Sequence, residues 1–216
     1  LLDLTGGFGV DTYYFSKTLK HVTYCEVNKN LSEIVRHNLK ILKGSNIFIK
    51  AVDGLSYIKQ ENIQYDWIYI DPSRRNKIGN KLYFIEECNP NVLENLDLLL
   101  SKSNNILIKL SPMLDIKSAL KVLKNTKEVH VVAIKNEVKE LLFLLEKGYT
   151  NEACIKAINL RTTQPNFEFK ISQERTTIAY QKPMNYLYEP NAAILKCGAF
   201  KNLSLIHISE PTRHTS

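Results

Sequence analysis

Cysteine is sparse in this sequence and widely spaced. Cys25, Cys88, Cys154 and Cys197 form no CxxC pair, which argues against a zinc ribbon, a redox motif or a disulfide framework and for reduced thiols in a cytoplasmic protein. Histidine is as scarce before residue 203, with only His21, His37 and His130, so no metal centre is expected. No apolar run approaches the roughly 18 residues of a membrane-spanning helix, and no membrane association is expected. A GxxxxGK[ST] run is absent, which removes the P-loop nucleotide-binding proteins. The chain opens inside an apolar strand without Met or signal peptide, and we expect a missing N-terminal region. At the other end, residues 203–216 read like a translated sequencing adapter and are set aside as non-native.

Charge is present but uneven. Residues 1–100 carry 12 Lys and Arg against 12 Asp and Glu, whereas 101–150 carry 9 against 5 and 151–202 carry 7 against 4. The basic excess therefore lies in the C-terminal half, where it suits a polyanion such as RNA; a Lys-rich solvated surface is the plainer alternative.

Hydrophobic patterning alternates strand and helix. Strands are expected at residues 1–4, 21–26, 46–52, 65–70, 105–110, 129–134 and 153–160. Helices are expected at 12–19, from a cap at Asn30 with Glu33 as its capping-box partner, at 92–100 and at 116–123. The apolar face of the second helix would hold Leu31, Ile34, Val35, Leu39 and Leu42. Residues 138–145 fit a helix or a strand. The rhythm implies an α/β fold: a Rossmann-like, doubly wound, mostly parallel seven-stranded sheet, with ligands at the carboxyl ends of the strands.

Four of those strand ends carry candidate site residues. The first strand runs into Asp3, Thr5, Gly6, Gly7, Gly9 and Asp11; Glu26 follows the second; Asp53 and Gly54 follow the third; Asp71, Pro72, Ser73, Arg74 and Arg75 follow the fourth. Glycines between a strand and a helix let backbone approach a ligand. From Gly7 the run lacks the third glycine of a dinucleotide fingerprint. The four together resemble the motifs of the class I S-adenosylmethionine-dependent methyltransferases. That resemblance implies that Asp3, Thr5, Gly6, Gly7, Gly9 and Asp11 form the cofactor loop. It also implies that Glu26 holds the ribose hydroxyls, and that Asp53 and Gly54 lie at the adenine.

The resemblance makes Asp71-Pro72-Ser73 the catalytic loop, with Asp71 accepting from the target amine. In amine-methylating relatives the loop continues with a second proline and an aromatic; here Arg74 and Arg75 stand instead. They are candidates to stack on a base or grip a phosphate, or simply to pair with Glu86 and Glu87.

The loop, the first motif, residues 109–115, 136–141 and 186–196 together resemble a bacterial family of these methyltransferases with a C-terminal THUMP-like domain. The resemblance implies a methyltransferase domain over residues 1–160 and the start of a small ferredoxin-like, THUMP-like α+β module over 161–202. A THUMP-like module implies an RNA substrate, rRNA or tRNA, and methyl transfer to a base nitrogen of that RNA is the leading expectation. Two rivals stand beside it: a non-catalytic RNA-binding protein that kept the fold, and a methyltransferase for protein or small molecules.

Overall fold

The computed structural model describes residues 1–74, 85–173 and 189–199. Arg75, much of 161–202 and all of 203–216 therefore fall wholly or partly outside the described residues. In chain order the elements are β1 (Leu2–Asp3), α1 (Val10–Ser16), β2 (Val22–Cys25), α2 (Lys29–Ile41), β3 (Ile47–Lys50), α3 (Gly54–Gln60), β4 (Tyr65–Ile70) and β5 (Ser73–Arg74). They continue with β6 (Cys88–Asn89), α4 (Val92–Lys102), β7 (Ser103–Leu110), α5 (Ile116–Val122), β8 (Thr126–Ile134), β9 (Glu137–Glu146), β10 (Cys154–Leu160), β11 (Phe167–Lys170) and α6 (Ala192–Cys197).

One sheet of nine strands in the order β11-β10-β8-β9-β7-β4-β1-β2-β3 organises the chain. Five of its neighbouring pairs are parallel and three antiparallel. The expected doubly wound, mostly parallel architecture is thus present, with two differences. β9 is inserted antiparallel between β7 and β8, so that β10 pairs with β8 beyond it, and β11 is added antiparallel to β10, which makes nine strands from the seven expected. The ambiguity at 138–145 has a physical source. Leu141, Phe143 and Leu145 are fully buried while Leu142 and Leu144 on the opposite face are half-buried, so apolar residues occupy consecutive positions and no period emerges. Pairing on both sides decides for a strand. Lys135 and Asn136, both at positive φ, form the tight turn that joins β8 to β9, as right-twisted hairpins require.

The main core lies on one face of the sheet. Ile68, Ile70, Ile106, Ile108, Val129, Val131 and Phe143 pack there beneath α4, α5 and α6. Each such side chain contributes about 1.5–3 kcal/mol on burial. A smaller cluster of Tyr24, Val35 and Leu39 seats α2 on β2 and β3. Helix α2 is capped by Asn28, whose side chain accepts from the Leu31 N–H, not by Asn30. The buried face also differs from the one expected. Ile34 is 53% exposed and Leu42 46% exposed, while Ser32 is buried and donates to the Glu26 carbonyl.

Candidate active site

Short crossovers on a parallel sheet bring the ends of β1, β2, β3 and β4 to one edge, and residues past β1, β2 and β4 are bonded to one another there. The Asp3 carboxylate is buried; it accepts from the Thr5 N–H at 3.0 Å and from the Thr12 hydroxyl on α1. Burial, with the nearby charges of Asp11 and Asp71, lifts its pKa to about 7 despite those two hydrogen bonds. Asp3 shapes the glycine loop from beneath.

Within the loop, Gly6 lies so close to the Tyr24 ring that an added Cβ would stand 2.1 Å from it. The Tyr24 hydroxyl donates to the Gly7 carbonyl at 2.6 Å. Gly9, at φ 74°, is the left-handed N-cap of α1, a conformation that costs an L side chain roughly 1–2 kcal/mol.

Glu26 reaches back across the edge. One carboxylate oxygen accepts from the Gly7 N–H at 3.0 Å and the other from the Asn28 N–H at 2.8 Å. Each oxygen of a carboxylate can accept twice, so both retain capacity for a pair of vicinal hydroxyls. Asp53 caps α3 by accepting from the Ser56 N–H at 2.8 Å, a structural role for this carboxylate. Gly54 is held within 2.4 Å, measured from an added Cβ, of the Leu4 carbonyl. Its small size thus serves the packing of α3 on β1.

The fourth strand end is latched to the first. The Asp71 N–H donates to the Thr5 hydroxyl at 2.7 Å. Beyond it, Pro72 is buried and Ser73 pairs with β6, its hydroxyl donating to the Asn89 carbonyl at 3.2 Å. The backbone of Arg74 lies in β5.

Two residues that the sequence did not single out complete the site. Lys109, near the end of β7, lies 2.6 Å from Asp11 and 2.8 Å from Asp71. Burial would lower its pKa, but hydrogen bonds to Asp11 and Asp71 outweigh it and hold the ammonium above its ordinary value. Tyr69 donates to Asp11 at 2.6 Å, and burial followed by that bond pushes its phenol up. The available signal was a single lysine in the apolar run of residues 106–110.

A cleft of about 420 Å³ opens beside Asp71, bordered by Pro72, Lys109, Ser111, Lys139 and Glu140 among others. The glycine loop does not border this cleft; it is joined to Asp71 through Thr5 and through Asp11 and Lys109. Burial also raises the pKa of Glu140. The arrangement offers an acidic loop edge fitted to a hydroxylated, cationic ligand, and next to it a cleft with an anchored carboxylate. The residues present fit an adenosyl sulfonium: Glu26 has acceptor capacity for the ribose hydroxyls, and Asp11 and Asp71, two carboxylates sharing one lysine, leave net negative charge near a cation.

The sheet order and these strand-end loops define the Rossmann-like fold of class I methyltransferases. A crystal structure from Porphyromonas gingivalis W83, assigned as a methyltransferase, is 34% identical with a TM-score of 0.84. That match covers 95% of this chain and 52% of the other, so this chain spans about half the length of that protein. M. capricolum TrmK, solved with S-adenosyl-homocysteine, is 16% identical with a TM-score of 0.50, over 68% of this chain and 61% of the other; it shows a likeness of fold. A family model described as a ferredoxin-like domain matches residues 186–207. The chain matches no curated protein sequence. Among the described residues no helix is long and apolar enough to cross a membrane.

Proposed function

We propose that this chain is the catalytic part of an S-adenosylmethionine-dependent methyltransferase that modifies a base nitrogen of RNA in the cytoplasm. The observation that carries the reading is the bonded chain from Glu26 through Gly7 and Thr5 to Asp71, which joins a cofactor-type loop to a carboxylate beside a cleft. The 34% identity to the Porphyromonas protein supports the methyltransferase class. The basic excess beyond residue 100 supports an RNA substrate, as does reading residues 161–202 as the start of a THUMP-like module.

Bound S-adenosylmethionine supplies an electrophilic methyl group: the amine lone pair forms the new N–C bond and the electron pair of the broken C–S bond leaves on a neutral thioether. Gly6, Gly7 and Gly9 would shape the methionyl cradle, Glu26 would accept from the ribose hydroxyls and Asp53 would serve the adenine. Asp71 accepts a hydrogen bond from the amine and so aims its lone pair. The nitrogen then sheds its proton to Asp71 or to water. Positioning of this kind supplies most of the rate when the leaving group needs no acid. Arg74 and Arg75 meet the nucleic acid.

The test is labelled-methyl transfer from S-adenosylmethionine to unfractionated bacterial RNA by the full chain. RNase-sensitive product that is lost in Asp71→Ala supports the reading. RNase-resistant product would move it to a protein or small-molecule substrate. One observation favours a non-catalytic RNA-binding protein: Ser73 and Arg74 are paired with β6 instead of presenting a second proline and an aromatic. Cofactor binding without transfer to any substrate would decide for that second reading.

A further inference from the structure

Lys109 joins the two loops that the proposed reaction requires to act together. Its Nζ contacts Oδ2 of Asp11, at the start of α1, and Oδ2 of Asp71, after β4. The Tyr69 hydroxyl donates to the same Asp11 oxygen, so Asp11 is itself held from two sides. A lysine ammonium has three N–H donors. Two serve these carboxylates, no third protein acceptor is found among the described residues, and the side chain borders the cleft with Asp71, Ser111 and Glu140.

The Lys109 side chain is 22% exposed, and those of Asp11 and Asp71 are 40% and 42% exposed. Ion pairs with partners this open to solvent contribute little to stability. What the pair does provide is direction. A carboxylate with one oxygen anchored has little freedom about its terminal torsion, so the other oxygen keeps a defined heading.

We propose that Lys109 is a positioning residue for methyl transfer: it anchors Oδ2 of Asp71 so that Oδ1 meets the target amine, and through Asp11 it holds that carboxylate in register with the glycine loop. The inference rests on the methyltransferase reading above. It is tested in the full chain with Lys109→Met, Asp71→Asn and the double variant. The readouts are labelled-methyl transfer to unfractionated bacterial RNA, calorimetric binding of S-adenosylhomocysteine and the thermal midpoint.

Misplacement by about 1 Å costs on the order of 100-fold, so Lys109→Met should lower kcat by roughly 30- to 100-fold. The affinity for S-adenosylhomocysteine should stay within about threefold, and Lys109→Arg should recover transfer to within about tenfold of wild type, since it keeps the charge. Because Lys109 acts through Asp71, adding Lys109→Met to Asp71→Asn should cost less than about threefold more. Should the Met variant fail to fold, Lys109→Gln is judged by the same cycle.

Wild-type-like transfer by Lys109→Met, or losses that multiply in the double variant, overturn the inference while leaving the methyltransferase reading intact. A wild-type chain that binds S-adenosylhomocysteine yet methylates no RNA overturns the base-nitrogen reading and this inference with it.

Discussion

The two halves of the sheet are built by different rules. From β3 to β4 every neighbouring pair is parallel, so every strand ends at the same edge and each polar residue just past a strand arrives there. From β7 onward antiparallel pairs enter, and that edge receives strand beginnings as well as strand ends. The first half carries the glycine loop, Glu26 and Asp71. The second supplies Lys109 from the end of β7, and Lys139 and Glu140 from the start of the antiparallel β9. A carboxylate-rich loop edge thus meets a more basic, hairpin-built wall, and the cleft lies along that join.

That contrast can be broken most severely at Asp71. Asp71→Ala should reduce transfer by at least about 100-fold through lost positioning, whereas Lys139→Ala across the cleft should weaken RNA binding only a few-fold and reduce the salt slope by about one unit. Single-turnover kinetics and filter binding at several salt concentrations separate the two. Equal losses from both variants would mean that the halves contribute alike.

A second comparison uses glycine. Gly6→Ala pushes a Cβ into the Tyr24 ring, and such overpacking costs about 1–3 kcal/mol; cofactor binding should fall with it. Gly148, in the C-terminal half, has φ +77° and open space around its missing Cβ, so Gly148→Ala should cost only the backbone strain, roughly 1–2 kcal/mol, with binding unchanged. Urea unfolding and calorimetry read both.

Asp3 gives the first half a pH dependence. Its pKa of about 7 lies above the ordinary carboxylate value of 3.8, so the folded state retains a proton that the unfolded chain releases. The stability conferred by that proton is complete below pH 4 and is lost as pH rises toward 7, at up to about 1.4 kcal/mol per pH unit. Asp3→Asn removes this decline. The difference in unfolding free energy between variant and wild type should therefore shift in the variant's favour from pH 4 to pH 8, and a constant difference would refute the assignment.

The smallest effect is expected on the outer face of α2. Ile34→Glu, at an exposed position, should change stability by no more than about 0.5 kcal/mol. Val35→Ala, in the cluster with Tyr24, should cost over 1 kcal/mol.

Much of the first half was legible. β4 begins at Tyr65 and ends at Ile70 as patterned, and Glu26 and Asp71 stand just past their strands because polar residues end apolar runs. Asp53 was legible as a position, and the structure adds that its side chain caps α3. Lys109 was not legible, since one lysine in a strand looks like any solvated lysine until its neighbours are placed. Nor was β9, where apolar residues face both ways, nor the cap of α2, where Asn28 and Asn30 are equivalent until the end of β2 is located.

Local pattern alone determined that strands and helices alternate, that glycines and carboxylates follow the first strands, and that positive charge gathers toward the C-terminus. These follow from side-chain period and polarity, which neighbours in sequence suffice to express. Tertiary structure decided that β9 inserts antiparallel, that Glu26 bonds Gly7, and that Lys109 bridges Asp11 and Asp71. Those contacts join residues 19 to 98 positions apart, and only the packing of the sheet brings such groups within hydrogen-bonding reach.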